Sequence, residues 1–206
     1  MRSVGLALAS LLAAAAPLRA ETLLDSKVGF TAERTLTIDG RTYTGRLWAM
    51  PGKERHEQQI GGYRPIVLLR AEDRFGQLVL PQLHTIVQVA IPPELRALAS
   101  RKLATSPSGG ETVNGVPATK YAIDEETSEG RAKGTMWLSA DGIPVKLVGT
   151  FAAKNGKVST VQWVLNKVKI GPQPAALFEP PSGYAKLPPE AIAPLLGMKL
   201  KPAARQ

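Results

Sequence analysis

Four Asx-Gly dipeptides, Asp39-Gly40, Asn114-Gly115, Asp141-Gly142 and Asn155-Gly156, each lie between runs rich in alternating or β-branched residues. Both central residues of a type I′ turn need positive φ, which Gly accepts freely and Asn or Asp tolerates, so each dipeptide predicts a β-hairpin. In the stretch 134–147 a two-residue loop at Asp141-Gly142 pairs Ala140 with Ile143, Leu138 with Val145 and Met136 with Leu147. One face is then apolar. The other carries Thr135, Trp137, Ser139, Pro144 and Lys146, polar except for a single indole.

The N-terminal hairpin obeys the same rule. Val28, Phe30, Ala32, Leu36 and Ile38 alternate with polar residues, and Asp39-Gly40 places Ile38 against Arg41, Leu36 against Tyr43, Ala32 against Leu47 and Phe30 against Ala49. The opposite face pairs Thr37 with Thr42, Thr35 with Thr44 and Glu33 with Arg46, all favourable cross-strand combinations. Arg34 breaks the apolar face, directly opposite Gly45, where a missing side chain leaves room for a guanidinium. A buried charge needs a partner or a route to water. Arg34 is therefore either a snorkelling residue at the rim or an anchor inside a cavity, gripping a lid carbonyl or a ligand headgroup.

Pro51-Gly52 turns the chain into the very polar run 53–60, which suits an edge strand. Residues 66–69 are continuously apolar and predict a strand covered on both faces. His56 and His84 are the only histidines; neither has a carboxylate at metal-ligand or triad spacing, so both are expected at the surface. Pro92-Pro93-Glu94 opens a short amphipathic helix through Leu95, Leu98, Ala99 and Leu103, a cover for the sheet or a movable lid, followed by a flexible link at 105–110. Beyond it come strands at 118–124, at 134–153 and at 157–170. A two-residue loop at Asn155-Gly156 sets Phe151 against Thr160 and Leu147 against Val164 on one face, with Trp163 opposite Val148 on the other.

Residues 1–20 combine a positive start, an apolar Ala/Leu run and a small residue, Ala20, before Glu21, the layout of a cleavable secretory signal. Its removal takes away Arg2 and Arg19 and no acid, leaving seven of the nine net positive charges. The chain has no Cys, so an exported product folds without disulfides and offers no thiolate to catalysis, metal or lipid. Lys and Arg are scattered singly rather than clustered, which argues against nucleic acid and is compatible with a peripheral contact with an anionic membrane surface.

The segments ETVNGVPATKY (111–121), GTMWLSADGIPVKL (134–147) and VKIGPQPAALFEPPSGY (168–184) resemble a domain family of unknown function among small exported bacterial proteins, a branch of the LolA-like superfamily of periplasmic lipoprotein-localisation factors. TIDGRTYTGRLWAMPGKERHE (37–57) fits the N-terminal hairpin of that family, and the likeness extends to about Tyr184. The resemblance implies a mainly β fold: a curved antiparallel sheet forming an unclosed half-barrel, with one or more helices covering the concave side. It also implies a periplasmic location and a hydrophobic ligand or lipoprotein acyl chain as partner. Arg34 then corresponds to an inward-facing arginine that holds the carriers' lid.

The domain expected is 21–187, followed by a Pro-rich, basic tail at 188–206. The apolar face that would hold a ligand comprises Phe30, Arg34, Leu36, Ile38, Tyr43, Leu47, Met136, Leu138, Val145 and Leu147. The alternative is an envelope structural or sensor module whose cavity is only a core. No Gly-x-Ser-x-Gly frame, phosphate loop or His-rich metal pattern is present, so neither enzyme nor cofactor is expected.

Overall fold

The computed structural model describes residues 26–59, 62–71, 73, 75–91, 95 and 107–192. Its strands are β1 (Phe30–Ile38), β2 (Arg41–Met50), β3 (Lys53–Gln58), β4 (Ile66–Arg70), β5 (Gly76–Leu80), β6 (Thr85–Val89), β7 (Pro107–Val113), β8 (Val116–Glu126), β9 (Gly130–Leu138), β10 (Pro144–Ala153), β11 (Val158–Ile170) and β12 (Ala185–Leu187). They form a single 12-stranded sheet in the order β12-β6-β5-β4-β3-β2-β1-β11-β10-β9-β8-β7. Two meanders, β1 to β6 and β7 to β11, run in opposite directions from a central seam where β1 pairs with β11. All neighbours are antiparallel except β12, which lies parallel to β6. The sheet is open, with β12 and β7 as its edges.

The turns obey loop chemistry in two ways. Asp39 and Gly40 both take positive φ (49° and 76°), as do Asn114 and Gly115 (48° and 85°), and these hairpins close with the expected two-residue loops. At Asp141-Gly142 and Asn155-Gly156 only the glycine is left-handed. Gly142 N–H donates to Ser139 and Gly156 N–H to Ala153, so each loop is one residue longer than a type I′ turn, with its glycine in a bulge position. In the β9–β10 hairpin a second irregularity between Pro144 and Lys146 restores the expected pairing of Met136 with Leu147. No such correction occurs between β10 and β11. Phe151 pairs with Ser159 and Leu147 with Trp163, one residue away from the expected register, and Val161 and Trp163 move onto the face of Leu147.

Two other expectations are corrected. The run at 53–60 is not an edge, because β3 sits inside the sheet between β2 and β4. The supposed link at 105–110 contributes Pro107 to Gly110 to the true edge strand β7. Helices covering one side of the sheet are not found among the described residues, where the helix α1 (Pro189–Ile192) is one turn long and follows β12. Of the expected helix after Pro92 only Leu95 is described; it is helical and half-buried against Leu36, Met136, Leu147 and their neighbours. The signal segment and the tail after Ile192 lie outside the described residues.

The polar strand β3 can be central because both of its faces find partners. Lys53, Arg55 and Glu57 project to one side, where residues 175–179 are strapped down. Arg55 donates to Glu57 and to the Leu177 carbonyl (3.0 Å), Arg70 to the Phe178 carbonyl (3.2 Å) and to Glu179, and Lys53 to Glu179 (3.1 Å). Phe178 is thereby buried. Truncating it to Ala removes a large buried ring and is expected to lower unfolding stability by about 3–5 kcal/mol. Val158→Ala, at an exposed position, is expected to change stability by less than about 0.5 kcal/mol. Chemical denaturation of the two variants checks both figures.

Candidate functional site

The residues singled out as a ligand face do lie on one face of the sheet. Leu36 pairs with Tyr43 on β2 and with Trp163 on β11, Trp163 with Leu147 on β10, and Leu147 with Met136 on β9. By alternation Phe30, Arg34, Ile38, Leu47 and Leu138 share that face, and Val145, at the irregularity in β10, packs in the cluster of Phe30 and Leu47. Phe30, Arg34, Leu36, Leu47, Met136, Val145 and Leu147 are buried, and Ile38, Tyr43 and Leu138 are half-buried.

Arg34 divides the face. On one side Phe30, Ala32, Leu47, Val145 and Leu165 form one apolar cluster. On the other, Leu36, Met136, Leu147, Phe151 and Val161 form a second. Trp163 touches both.

Between the clusters Arg34 reaches across β2. Its row of the sheet runs Arg34–Gly45–Gln58, and the row beside it Ala32–Leu47–His56. With no side chain at Gly45, the guanidinium passes from β1 to β3, where Nη2 donates to Gln58 Oε1 (2.8 Å) and Nη1 to His56 Nδ1 (2.9 Å). The other ring nitrogen of His56 lies 2.7 Å from Glu54 Oε2. Gly45 has a backbone role too, since a Cβ there would collide with the Glu57 carbonyl oxygen.

The donor inventory assigns the tautomer. A guanidinium has no acceptor, so His56 Nδ1 must be unprotonated; Nε2–H then donates to the carboxylate. A neutral imidazole thus bridges a buried cation and a buried anion. Arg34, His56 and Glu54 are only 6%, 4% and 4% exposed. Burial lowers the Arg34 pKa to about 10, partly opposed by the Glu54 charge. Burial also lowers the His56 pKa, with the hydrogen bond to Glu54 opposing and the Arg34 charge reinforcing the shift. Trp163 closes the site, its ring centroid 5.6 Å from the guanidinium carbon and 6.0 Å from the imidazole. Arg34 Nε and Glu54 Oε1 are buried without hydrogen-bond partners.

His56 is therefore a core residue rather than a surface one, and Arg34 is an internal strut rather than a rim residue. The signal for His56 was present in the turn: a two-residue Pro51-Gly52 loop pairs Met50 with Lys53 and hence Leu47 with His56. His84 is exposed, as expected, beside Tyr184 at 5.3 Å. Among the described residues no three metal-ligating side chains converge.

Trp137, the lone indole of the polar face, is buried under its own polar shell. Its Nε1 donates to Glu111 Oε2 (3.0 Å), and Lys146 and Lys120 lie 4.3 and 5.8 Å from its ring centroid. Hydrogen bonds from Lys120 and then Trp137 hold the Glu111 pKa at about 2.

No protein-family model and no curated protein sequence matches the chain. Solved structures similar to it include an uncharacterised conserved protein from Thermus thermophilus, with 17% identity over 82% of this chain and 94% of that one and a TM-score of 0.49. The MucA/MucB complex of Pseudomonas aeruginosa is similar at 18% identity over 80% of this chain and 59% of that one, with a TM-score of 0.47. A LolA superfamily protein from Nitrosomonas europaea is similar at 10% identity over 79% and 94%, with a TM-score of 0.43. At 10–18% identity these are likenesses of fold alone. The chain spans less than two thirds of the MucB structures it matches.

The strut makes a mutational prediction. His56→Ala strands a buried guanidinium and a buried carboxylate at once and is expected to cost about 3–5 kcal/mol of stability. Thr35→Ala, on the opposite face of β1, is expected to cost less than about 1 kcal/mol. Urea titrations of the two variants test the difference.

Proposed function

We propose that the chain is an exported, non-catalytic binding protein of the periplasm that takes a lipid, a lipoprotein acyl chain or another hydrophobic ligand against the Arg34 face. The observation that carries this reading is the face itself: two apolar clusters flank one polar strut, and the cluster of Leu36, Met136 and Leu147 is rimmed by half-buried Ile38 and Leu138. Leu95, from the segment between the two meanders, packs against the same cluster. Apolar surface of this kind takes acyl chains without directional contacts, because the driving force scales with the area removed from water.

A second reading, an envelope structural or sensor module whose apolar face is only a core, is favoured by the engagement of both terminal nitrogens of Arg34 within the chain. The two readings part in one experiment. Native mass spectrometry of protein purified from its own periplasm is expected to show a lipid-sized adduct, and a fluorescent fatty-acid probe to bind saturably and be displaced by that lipid. Ile38→Asp is expected to weaken probe binding at least tenfold, with Thr35→Asp on the opposite face leaving it unchanged. A chain without adduct or probe binding, but with one specific partner on crosslinking, supports the module reading instead.

A further inference from the structure

The buried relay of Arg34, His56 and Glu54 has a property that neither an ion pair nor an apolar core would have: it holds only while His56 is neutral. Arg34 Nη1 can only donate, and the atom it donates to is His56 Nδ1 at 2.9 Å. Once Nδ1 carries a proton, two donors and two positive charges face each other at that distance. The ring can still donate from Nε2 to Glu54, so the protonated imidazole stays with the carboxylate and the guanidinium is the partner displaced.

We propose that His56 is an acid-sensitive latch: uptake of a proton at Nδ1 breaks its bond to Arg34, leaves the guanidinium held to β3 by Gln58 alone and loosens the apolar face that Arg34 divides.

The surroundings concentrate this effect on one bond. Across β2 His56 is paired with Leu47 and across β4 with Val67, and from β11 it meets the edge of Trp163. Among the described residues the charged groups beside it are Arg34, from β1, and Glu54, from its own strand. Gln58 Oε1 still accepts from Nη2, but it is neutral and cannot compensate a second buried cation. Because burial and Arg34 lower the folded pKa of His56 below its ordinary value of 6.5, the unfolded chain binds the proton more readily. The sign follows: the stabilisation from neutral His56 is complete above about pH 6.5 and is lost as the pH falls from there to the folded pKa.

With only two histidines in the chain, the imidazole signals in an NMR pH titration are assigned by one substitution, His84→Asn. The His56 signal is expected to titrate below pH 6.5, and the slowly exchanging guanidinium signals of Arg34 to disappear over the same interval. Thermal unfolding is expected to fall by roughly 3–5 °C per pH unit across that interval, one proton's worth for a chain of this size. His56→Gln offers the same acceptor and donor but takes up no proton, so it is expected to lose that pH dependence. Persistence of the Arg34 signals while His56 titrates would overturn the proposal, and so would absence of His56 titration before global acid unfolding. An unchanged pH dependence in a folded His56→Gln has the same force. If that variant does not fold, the two NMR observations on the wild-type chain decide alone.

Discussion

Arg34 on β1 is joined to β3 across the width of β2, and that single crossing explains features on all three strands. A guanidinium inside an apolar face demands two acceptors and a compensating charge. Gln58 and His56 supply the acceptors and Glu54 the charge, which is why alternate residues of β3 are polar although that side of the strand is buried. Gly45 is the gap through which the side chain passes. The strut also divides the sheet's apolar face into two clusters, leaving Trp163 as the side chain that spans both.

The opposite side of β3 is ruled by different physics. Lys53 and Arg55, with Arg70 from β4, hold the backbone and carboxylate of the segment at 177–179 with partly exposed ion pairs and carbonyl bonds. Exposed pairs contribute little individually. Their effect is positional, because they fix the strap that seats Phe178 in the core. A strand that looks too hydrophilic for the middle of a sheet is thus satisfied twice, once by a buried relay and once by a clamp.

For the proposed binding function, this arrangement sets the order of the sheet's parts. The long β1–β11 seam gives the apolar face a rigid centre, and the strut stands on that centre rather than on a loop. Leu95 packs against the cluster that carries half-buried Ile38 and Leu138.

The hairpins were legible from the chain because turn chemistry is local: Asp39-Gly40 and Asn114-Gly115 close as type I′ loops, and the registers of β1 with β2 and β7 with β8 follow. The shared face of the residues on β1 and β2 was legible for the same reason, whereas on β9 and β10 Leu138 meets Pro144 instead of the expected Val145 and the expected register returns only at Met136 and Leu147. Trp163 was not. Asn155-Gly156 adopts a one-residue-longer loop, and a one-residue slip moves every side chain beyond it to the other face. Nor could hydrophilicity tell that β3 is central, because it looks the same at an edge as in a relay, although the Pro51-Gly52 register already sets His56 opposite Leu47. Sequence by itself determined most of the strands and turns and the presence of a charge on an apolar face. Only the tertiary structure decided what that charge meets, because Arg34, His56 and Trp163 come from three strands whose neighbourhood is set by sheet order, not by spacing along the chain.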